Sequence, residues 1–116
     1  LEYFSGFNAD LLVYLGPAIG ASAYEVGPEV LAQFRSMAQS DNHSQQITAA
    51  FTSSVGGSQS DRLKANLYSL AIAELNACNV SEIYGGDCCT FSEPERFYSY
   101  RRDGITGRHA SLIWIK

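Results

Sequence analysis

Apolar residues form a short continuous run near the start of the chain, LLVYL at residues 11–15, followed directly by Gly16 and Pro17. A run of this length bounded by turn residues predicts a buried strand and then a tight turn over residues 16–20. Proline suits the first position of a helix, so Pro28 marks the start of the next element. The apolar face of that helix is predicted to consist of Val30, Leu31, Phe34 and Met37.

A second helix is predicted from apolar residues at steps of three and four. Ser60 or Asp61 would cap it and Asn79 would end it. Its buried face would be Leu63, Leu67, Leu70, Ala71, Leu75 and Cys78. Residues 81–84 predict a short strand, followed by a Gly-Gly-Asp loop. Residues 97–100 and 111–115 predict two more strands, joined by the Arg-Arg-Asp-Gly loop.

The segment 40–60 is rich in small and polar residues and predicts irregular structure, the most mobile part of the chain. Residues 47–51 are its one apolar patch and predict a short strand or a turn. Helices and strands therefore mix without strict alternation. This pattern predicts an α+β fold, a mixed β-sheet with flanking helices.

The composition narrows the class of protein. The chain has 116 residues and a net charge of -4, which fits one globular domain and argues against a nucleic-acid partner. No apolar run approaches the roughly 20 residues that span a membrane. Three cysteines without a pairing pattern favour free thiols and a cytoplasmic location. Residues 1–7 resemble the last turn of a helix, which indicates either a cut through a larger element or a processed or tagged N-terminus with a frayed start.

The sequence does not predict a complete metal site. Such a site needs three or four converging ligands, and the chain contains neither a CxxC nor an HxxxH motif. Cys88 and Cys89 are adjacent and would face opposite sides of a strand. A nucleophile–base pair of Cys89 and His109 stays open, because folding can bring the two residues together. Their spacing along the sequence does not indicate such a pair. A structural role is the favoured interpretation for both His43 and His109.

Four of the six arginines lie between residues 96 and 108, and this cluster is the sharpest chemical signal. The planar guanidinium fork suits phosphate or carboxylate. Arg101, Arg102 and Arg108 are therefore candidate anion-binding residues, with Tyr98 or Tyr100 stacking on a base. The alternative is a structural ion-pair knot of Arg101 and Arg102 with Asp103, Glu93, Glu95 or Asp87. Candidate pocket-lining residues near the first turn are Gly16, Pro17, Gly20 and Glu25.

Three ordered motifs resemble the bacterial laccase-domain family. The ending FYSYRRDGITGRHASLIW is similar to the family's aromatic pair, Ser-Tyr-Arg-Arg-Asp, Thr-Gly-Arg and Ala-Ser-Leu-Ile-Trp. The stretch YLGPAIGASAYEVGPEV, residues 14–30, is similar to the family's Gly-Pro-Ala/Cys-Ile-Gly turn and the helix after it. The third match is IYGGDCCTF, residues 83–91. The resemblance covers nearly the whole chain.

This resemblance implies a purine nucleoside phosphorylase and adenosine deaminase, from a family often labelled multicopper polyphenol oxidase. It implies a zinc or copper ion held by two histidines and one cysteine in motifs that do not occur here. Residues 1–116 are thus expected to form the C-terminal portion of the domain, inactive alone and without catalytic residues or metal ligands. The implied partners are a purine nucleoside, phosphate and the missing N-terminal half.

Two other functions stay open at this point. The chain could be a non-catalytic module that docks with a separate N-terminal half. It could also belong to a copper polyphenol oxidase, which is weaker because three metal ligands are few for oxidase chemistry.

Overall fold

The fold mixes helices with two small sheets, which confirms the predicted α+β class. The computed structural model describes residues 11–54 and 62–113. In chain order the elements are β1 (Leu12–Leu15), β2 (Glu25–Val26), α1 (Pro28–Ser36), α2 (Asp41–Ala49), β3 (Phe51–Ser53), β4 (Leu63–Ala65), α3 (Leu67–Ala77), β5 (Glu82–Gly85) and α4 (Tyr100–Asp103). Strand β1 pairs with β5 in parallel, and β2, β4 and β3 form an antiparallel sheet in that order. No helix in the described ranges is long and apolar enough to cross a membrane.

The parallel pair β1–β5 has one covered and one open face. Val13 and Leu15 are half-buried, whereas Leu12 and Tyr14 are 67% and 70% exposed. Tyr84, which lies opposite Tyr14 in the register, is also exposed. The predicted strand is confirmed, but its predicted burial is wrong on this face of the described structure.

The hydrophobic core lies between the antiparallel sheet and helices α1, α2 and α3. Its buried members are Val26, Ile47, Ala50, Phe51, Ala65, Leu70 and Ala73. The rings of Phe34 and Phe51 meet at a centroid distance of 6.3 Å. Helix α1 begins at Pro28 as predicted, and three of its four predicted apolar residues pack on the core. Met37 is the exception: it follows the last helical turn and is exposed.

The prediction of irregular structure in the segment 40–60 is wrong for residues 41–49, which form α2. Ser40 caps this helix, because its Oγ accepts the backbone N–H of His43 at 3.1 Å. Only His43 and Ile47 are buried in α2, so the apolar period is too sparse to be seen in the sequence. The strand or turn predicted at residues 47–51 is wrong for residues 47–49, which end α2, and is confirmed only at Ala50, a turn, and Phe51, which begins β3.

His43 has the structural role that the sequence favours. Its ring is buried, and Nδ1 accepts the backbone N–H of Gln39 at 3.0 Å. Since Nδ1 is an acceptor, Nε2 carries the proton and donates it to Glu74 at 2.9 Å. This pair therefore ties α2 to α3.

The predicted start of the second helix is also wrong. Residues 63–65 form β4 and pair with both β2 and β3. The helix begins only after Asn66, whose side chain accepts the N–H of Ser69 at 3.1 Å. Its end agrees with the sequence, because Asn79 has a φ of 66°, a conformation common just after a helix. Ser60 and Asp61 lie outside the described residues.

The two strands predicted near the end of the chain are not observed in the described part. Residues 97–99 have no regular structure, and Ser99 caps α4 by accepting the N–H of Arg102 at 3.3 Å. The predicted Arg-Arg-Asp loop is thus a helical turn. Residues 111–113 have no regular structure and pair with no strand among the described residues, and Leu112 and Ile113 are exposed. Residues 114–115 and the helix end predicted at residues 1–7 lie outside the described residues.

Candidate functional site

Three segments meet at one end of the parallel pair: residues 16–20, residues 88–93 and residues 97–109. Ala18 forms a parallel bridge with Cys89, and its carbonyl accepts the N–H of Thr90 at 3.0 Å. The N–H of Gly20 donates to Cys89 Sγ at 3.1 Å. A methyl group on Gly20 would lie 3.1 Å from that sulfur, so the two segments touch closely.

Tyr68 on α3 joins the first two segments. Its Oη accepts the N–H of Ala18 at 2.8 Å and donates to the carbonyl of Cys88 at 2.6 Å. The ring also lies against Gly86, where an added Cβ would come within 3.1 Å of it. Helix α3 therefore fixes both loops through one side chain.

We expect Tyr68→Phe to lower the free energy of unfolding by about 1–3 kcal/mol, because it leaves two partly buried backbone groups without their partner. Urea denaturation followed by circular dichroism measures this. Tyr84→Phe is the matched control, since its hydroxyl donates only to the exposed Glu82 carboxylate at 2.7 Å. The control should change stability by less than about 0.5 kcal/mol. Equal losses in the two variants would contradict the bridging role of Tyr68.

Arg102 lies between the second and third segments and is largely covered. Its Nε and Nη2 donate to the Asp103 carboxylate at 2.9–3.1 Å. Nη1 donates to the carbonyls of Thr90 and Phe91 at 2.9 and 3.0 Å. Nη2 also donates to the carbonyl of Phe97 at 3.0 Å. All five N–H donors of the guanidinium thus have acceptors inside the protein.

Arg101 points the other way, toward strand β2. Its guanidinium carbon lies 5.0 Å from the centroid of the Tyr24 ring, a cation–π distance. Nη1 donates to the carbonyl of Glu25 at 3.1 Å. The remaining donors of Arg101 make no hydrogen bond with any part of the chain that the structure describes. The residue is exposed and can reach a ligand.

Two adjoining hollows lie along these residues. The larger has a volume of about 420 Å³ and is lined by Ala18, Ile19, Tyr24, Leu67, Thr90, Tyr98, Ser99, Tyr100 and Arg101. The smaller has a volume of about 270 Å³ and is lined by Tyr98, Tyr100, Thr106, Gly107, Arg108 and His109. Tyr98 and Tyr100 belong to both hollows. Gly107 gives the loop room to lie against the ring of Tyr98.

The structure brings together most of the predicted ligand-binding residues. Arg101 and Arg108 line adjacent hollows, and both tyrosines stand between them. Arg102 faces inward and does not line either hollow. Of the predicted 16–20 turn, Ala18 and Ile19 line the larger hollow, whereas Gly16, Pro17 and Gly20 flank it. Glu25 contributes its backbone carbonyl to Arg101, while its carboxylate accepts from Ser54 at 2.9 Å.

The Cys89 thiol is held by several donors. Burial raises its pKa, but hydrogen bonds from the Ser92 side chain and from the backbone N–H groups of Gly20, Ser92 and Phe91 together outweigh burial and lower it. Cys89 itself donates its backbone N–H to Glu93 at 2.8 Å, and this bond holds the pKa of the Glu93 carboxyl below its usual value. His109 lies against Phe97, with ring centroids 6.2 Å apart. No contact within the described residues joins His109 to Cys89.

A metal ion does not fit the described residues. Within residues 11–54 and 62–113, no group of three or more His, Cys, Asp or Glu side chains converges to hold one. The expectation that the metal ligands lie outside residues 1–116 stays a prediction.

A sequence model described as multi-copper polyphenol oxidoreductase laccase matches residues 2–116. The chain belongs to this laccase family. The match confirms the resemblance carried by the three sequence motifs. The family's name associates it with copper, although the metal itself is not identified by this match.

Curated relatives of this laccase-family chain are named purine nucleoside phosphorylases. The Haemophilus influenzae protein is 37% identical over 116 residues, which are 100% of this chain and 44% of that protein. The Pseudomonas aeruginosa protein is 45% identical over 107 residues, 92% of this chain and 40% of that protein. The Escherichia coli K12 protein is 42% identical over 106 residues, 91% of this chain and 39% of that protein. The chain thus spans less than half the length of each relative.

A solved structure supports the same fold. The crystal structure of a Neisseria meningitidis protein of the DUF152 family superposes with a TM-score of 0.65 at 41% sequence identity. The superposition covers 78% of this laccase-family chain and 34% of the Neisseria chain.

Sequence analysis missed several residues of the site. Tyr24, Leu67 and Thr90 line the larger hollow, and Tyr68 holds its walls together. The aromatic Tyr24 sits within the second matched motif, so its place beside Glu25 was a usable signal. No sequence signal marked Tyr68, because it lies in an ordinary helical pattern of apolar residues.

Proposed function

We propose that this chain forms the phosphate- and nucleoside-binding wall of a purine nucleoside phosphorylase. The observation that carries the proposal is the convergence of Arg101 and Arg108 on two adjoining hollows separated by Tyr98 and Tyr100. The names of the relatives support the substrate class. The short share of each relative that the chain spans supports a role within a larger assembly.

Phosphate is assigned to the two outward-facing arginines. Arg101 is oriented by the Tyr24 ring and the Glu25 carbonyl, which leaves donors directed to solvent. Arg108 lines the smaller hollow and makes no hydrogen bond or ion pair with the residues that the structure describes. A phosphate bound at either guanidinium group gains charge-assisted, forked hydrogen bonds. Arg102 is not part of this subsite, because its donors are already used.

The nucleoside is assigned to the tyrosine ridge. Tyr98 and Tyr100 are exposed and border both hollows, so a purine placed on either ring stays next to the arginines. Aromatic stacking of a base contributes about 1–3 kcal/mol. The larger hollow, at about 420 Å³, is within the usual range of small-molecule sites.

In phosphorolysis a phosphate oxygen forms a bond to C1′ as the glycosidic C–N bond breaks. The bonding electrons leave with the purine, which takes up a proton, and the products are a free base and a pentose 1-phosphate. The chain's contribution is to bind phosphate and orient the sugar toward it. The proposal also includes adenosine deamination and a bound zinc or copper ion, because the resemblance to the laccase-domain family implies both. We assign the residues that perform deamination and hold the metal to positions outside the described ones.

The remaining part of the domain is the proposed partner. Leu12, Tyr14 and Tyr84 form an exposed apolar patch on β1–β5, and Leu112 and Ile113 are exposed in the segment 111–113. Ser111 lies beside Gly16, directly after β1, so this segment borders the sheet. Such a surface is typical of an interface. The same patch also favours the non-catalytic docking module as the second candidate.

A cytoplasmic location rests on the Cys88 and Cys89 thiols, which form no disulfide.

The test uses a hybrid protein. The 116 matching residues of the Haemophilus influenzae relative are replaced by this chain, and release of free purine from inosine is measured with and without inorganic phosphate. We expect phosphate-dependent release, and we expect Arg101→Ala and Arg108→Ala each to raise KM for phosphate about 10- to 100-fold, the range expected for lost charged hydrogen bonds.

Arg35→Ala is the matched control, because Arg35 lies exposed in the last turn of α1 and away from the hollows. It removes the same charge and should leave KM for phosphate within about twofold, since exposed charges are screened by salt. A folded hybrid that never releases purine would favour the docking module. A normal phosphate KM in both arginine variants would refute the assigned subsite.

A further inference from the structure

We propose that Arg102 is a positioning residue that clamps the turn at residues 89–91 to helix α4, and that it does not bind the substrate anion. The arginine pair at residues 101–102 looks from the sequence like a single cationic unit. The structure divides it into one residue that faces the hollows and one that faces the protein. The inference does not depend on the proposed function, because the clamp can be tested by local chemistry alone.

The first observation is that every N–H donor of the Arg102 guanidinium already has a hydrogen-bond acceptor. Its acceptors are the carbonyls of Thr90, Phe91 and Phe97 and the carboxylate of Asp103. The Asp103 hydrogen bond raises the pKa of Arg102, and the Arg102 hydrogen bond lowers the pKa of Asp103. An incoming phosphate would have to displace an existing partner from every donor it used. Binding there would expose backbone carbonyls that nothing else in the described residues satisfies.

The second observation is what the acceptors connect. Thr90 and Phe91 belong to the turn whose other side is held by Ala18 and Gly20. Phe97 and Asp103 lie on either side of Ser99, the buried cap of α4. Arg102 is therefore the cross-link between the wall that carries Ala18 and the helix that carries Arg101. Without it, the larger hollow loses the fixed distance between its two sides.

The third observation is geometric specificity. The three carbonyls and the carboxylate surround a planar fork, and a lysine ammonium is a compact charge with three donors on one atom. Lysine at this position keeps the charge but cannot reach carbonyls at residues 90, 91 and 97 together. A clamp should thus fail in Arg102→Lys as badly as in Arg102→Ala, whereas an anion-binding site should keep much of its function in the lysine variant.

The experiment compares Arg102→Lys, Arg102→Ala and Arg101→Lys in the hybrid protein. Iodoacetamide labelling is followed by peptide-resolved mass spectrometry, which reports Cys89 separately from its neighbour Cys88. Because Cys89 sits in the clamped turn, we expect both Arg102 variants to speed its labelling about tenfold or more relative to Cys88, the size expected when charged hydrogen bonds are lost. Arg101→Lys should leave that ratio unchanged.

A ratio of Cys89 to Cys88 labelling that stays constant while both rates rise together would mean global destabilisation, and it would overturn the local clamp. A lysine variant that labels like the wild type, while the alanine variant does not, would also overturn it, because charge alone would then suffice.

Discussion

Gly85→Ala is expected to lower the free energy of unfolding by about 2–5 kcal/mol, the sum of backbone strain and a steric overlap. Gly85 ends β5 with a φ of 85°, a conformation that side chains with a Cβ rarely adopt. An added methyl group would also overlap the backbone carbonyl of Leu15, its partner in β1. Because the obstacle is backbone in a paired strand, it cannot rotate away. Urea denaturation followed by circular dichroism measures the loss.

Gly104→Ala separates the two contributions. Gly104 also has a positive φ, 74°, but a Cβ there would meet no atom within 4 Å among the described residues. Its replacement should therefore cost about 1–3 kcal/mol, the strain alone. If both glycine variants lose the same stability, the close approach of β5 to β1 does not contribute. Gly85 also precedes the loop to Cys88 and Cys89, so its loss should disturb the candidate site.

Ile47→Ala is expected to lower the free energy of unfolding by about 2–5 kcal/mol, as large-to-small changes in a packed core do. Ile47 has no exposed surface and lies in the core cluster with Phe51 and Leu70. Its side chain is the main apolar anchor of α2, so the helix should loosen with it. Thermal unfolding and hydrogen exchange of α2 measure the effect.

The control removes the same atoms from the surface. Ile105 is 97% exposed, and Ile105→Ala should change stability by less than about 0.5 kcal/mol. A small effect at Ile47, close to that at Ile105, would mean that α2 does not contribute to the core. Such a result would restore the sequence-based view of residues 40–60 as a loosely held segment.

The elements that sequence analysis predicted well are those with strong local signals. The apolar run before Gly16 and Pro17, and Pro28 at a helix start, require little tertiary information. Helix α2 was missed because its stability comes from Ser40 as a cap and from a narrow buried face of His43 and Ile47. Neither feature produces a visible apolar period in a polar segment.

Two further errors concern β4 and α4. Leu63 and Leu67 are four apart, as in a helix, yet residues 63–65 pair as a strand between β2 and β3. The aromatic residues before Arg101 have high strand propensity, but Ser99 caps a helical turn there instead. For β4, pairing with distant segments overrides the local preference, and no single-sequence pattern contains that pairing. For α4, the local cap by Ser99 outweighs the strand propensity of the aromatic residues.

The sequence predicted which types of residue lie near the candidate site, but it did not predict how their side chains are arranged. Residue types placed Arg101, Arg102 and Arg108 near tyrosines, and the three motifs identified the laccase family. The assignment of Arg102 to phosphate stays a prediction from the sequence, and the saturation of its donors favours the alternative ion-pair knot. The role of Tyr68 became visible only when α3 was seen to lie beside both loops.

The sequence by itself determined the α+β class, the family and the cluster of arginine and tyrosine residues near the end of the chain. These three properties follow from residue types and their order. Only the tertiary structure decided which arginine faces a hollow and which faces the protein. Residues 101 and 102 are adjacent and chemically identical. Their different roles arise from acceptors at residues 90, 91 and 97, which only the folded backbone brings to one side chain.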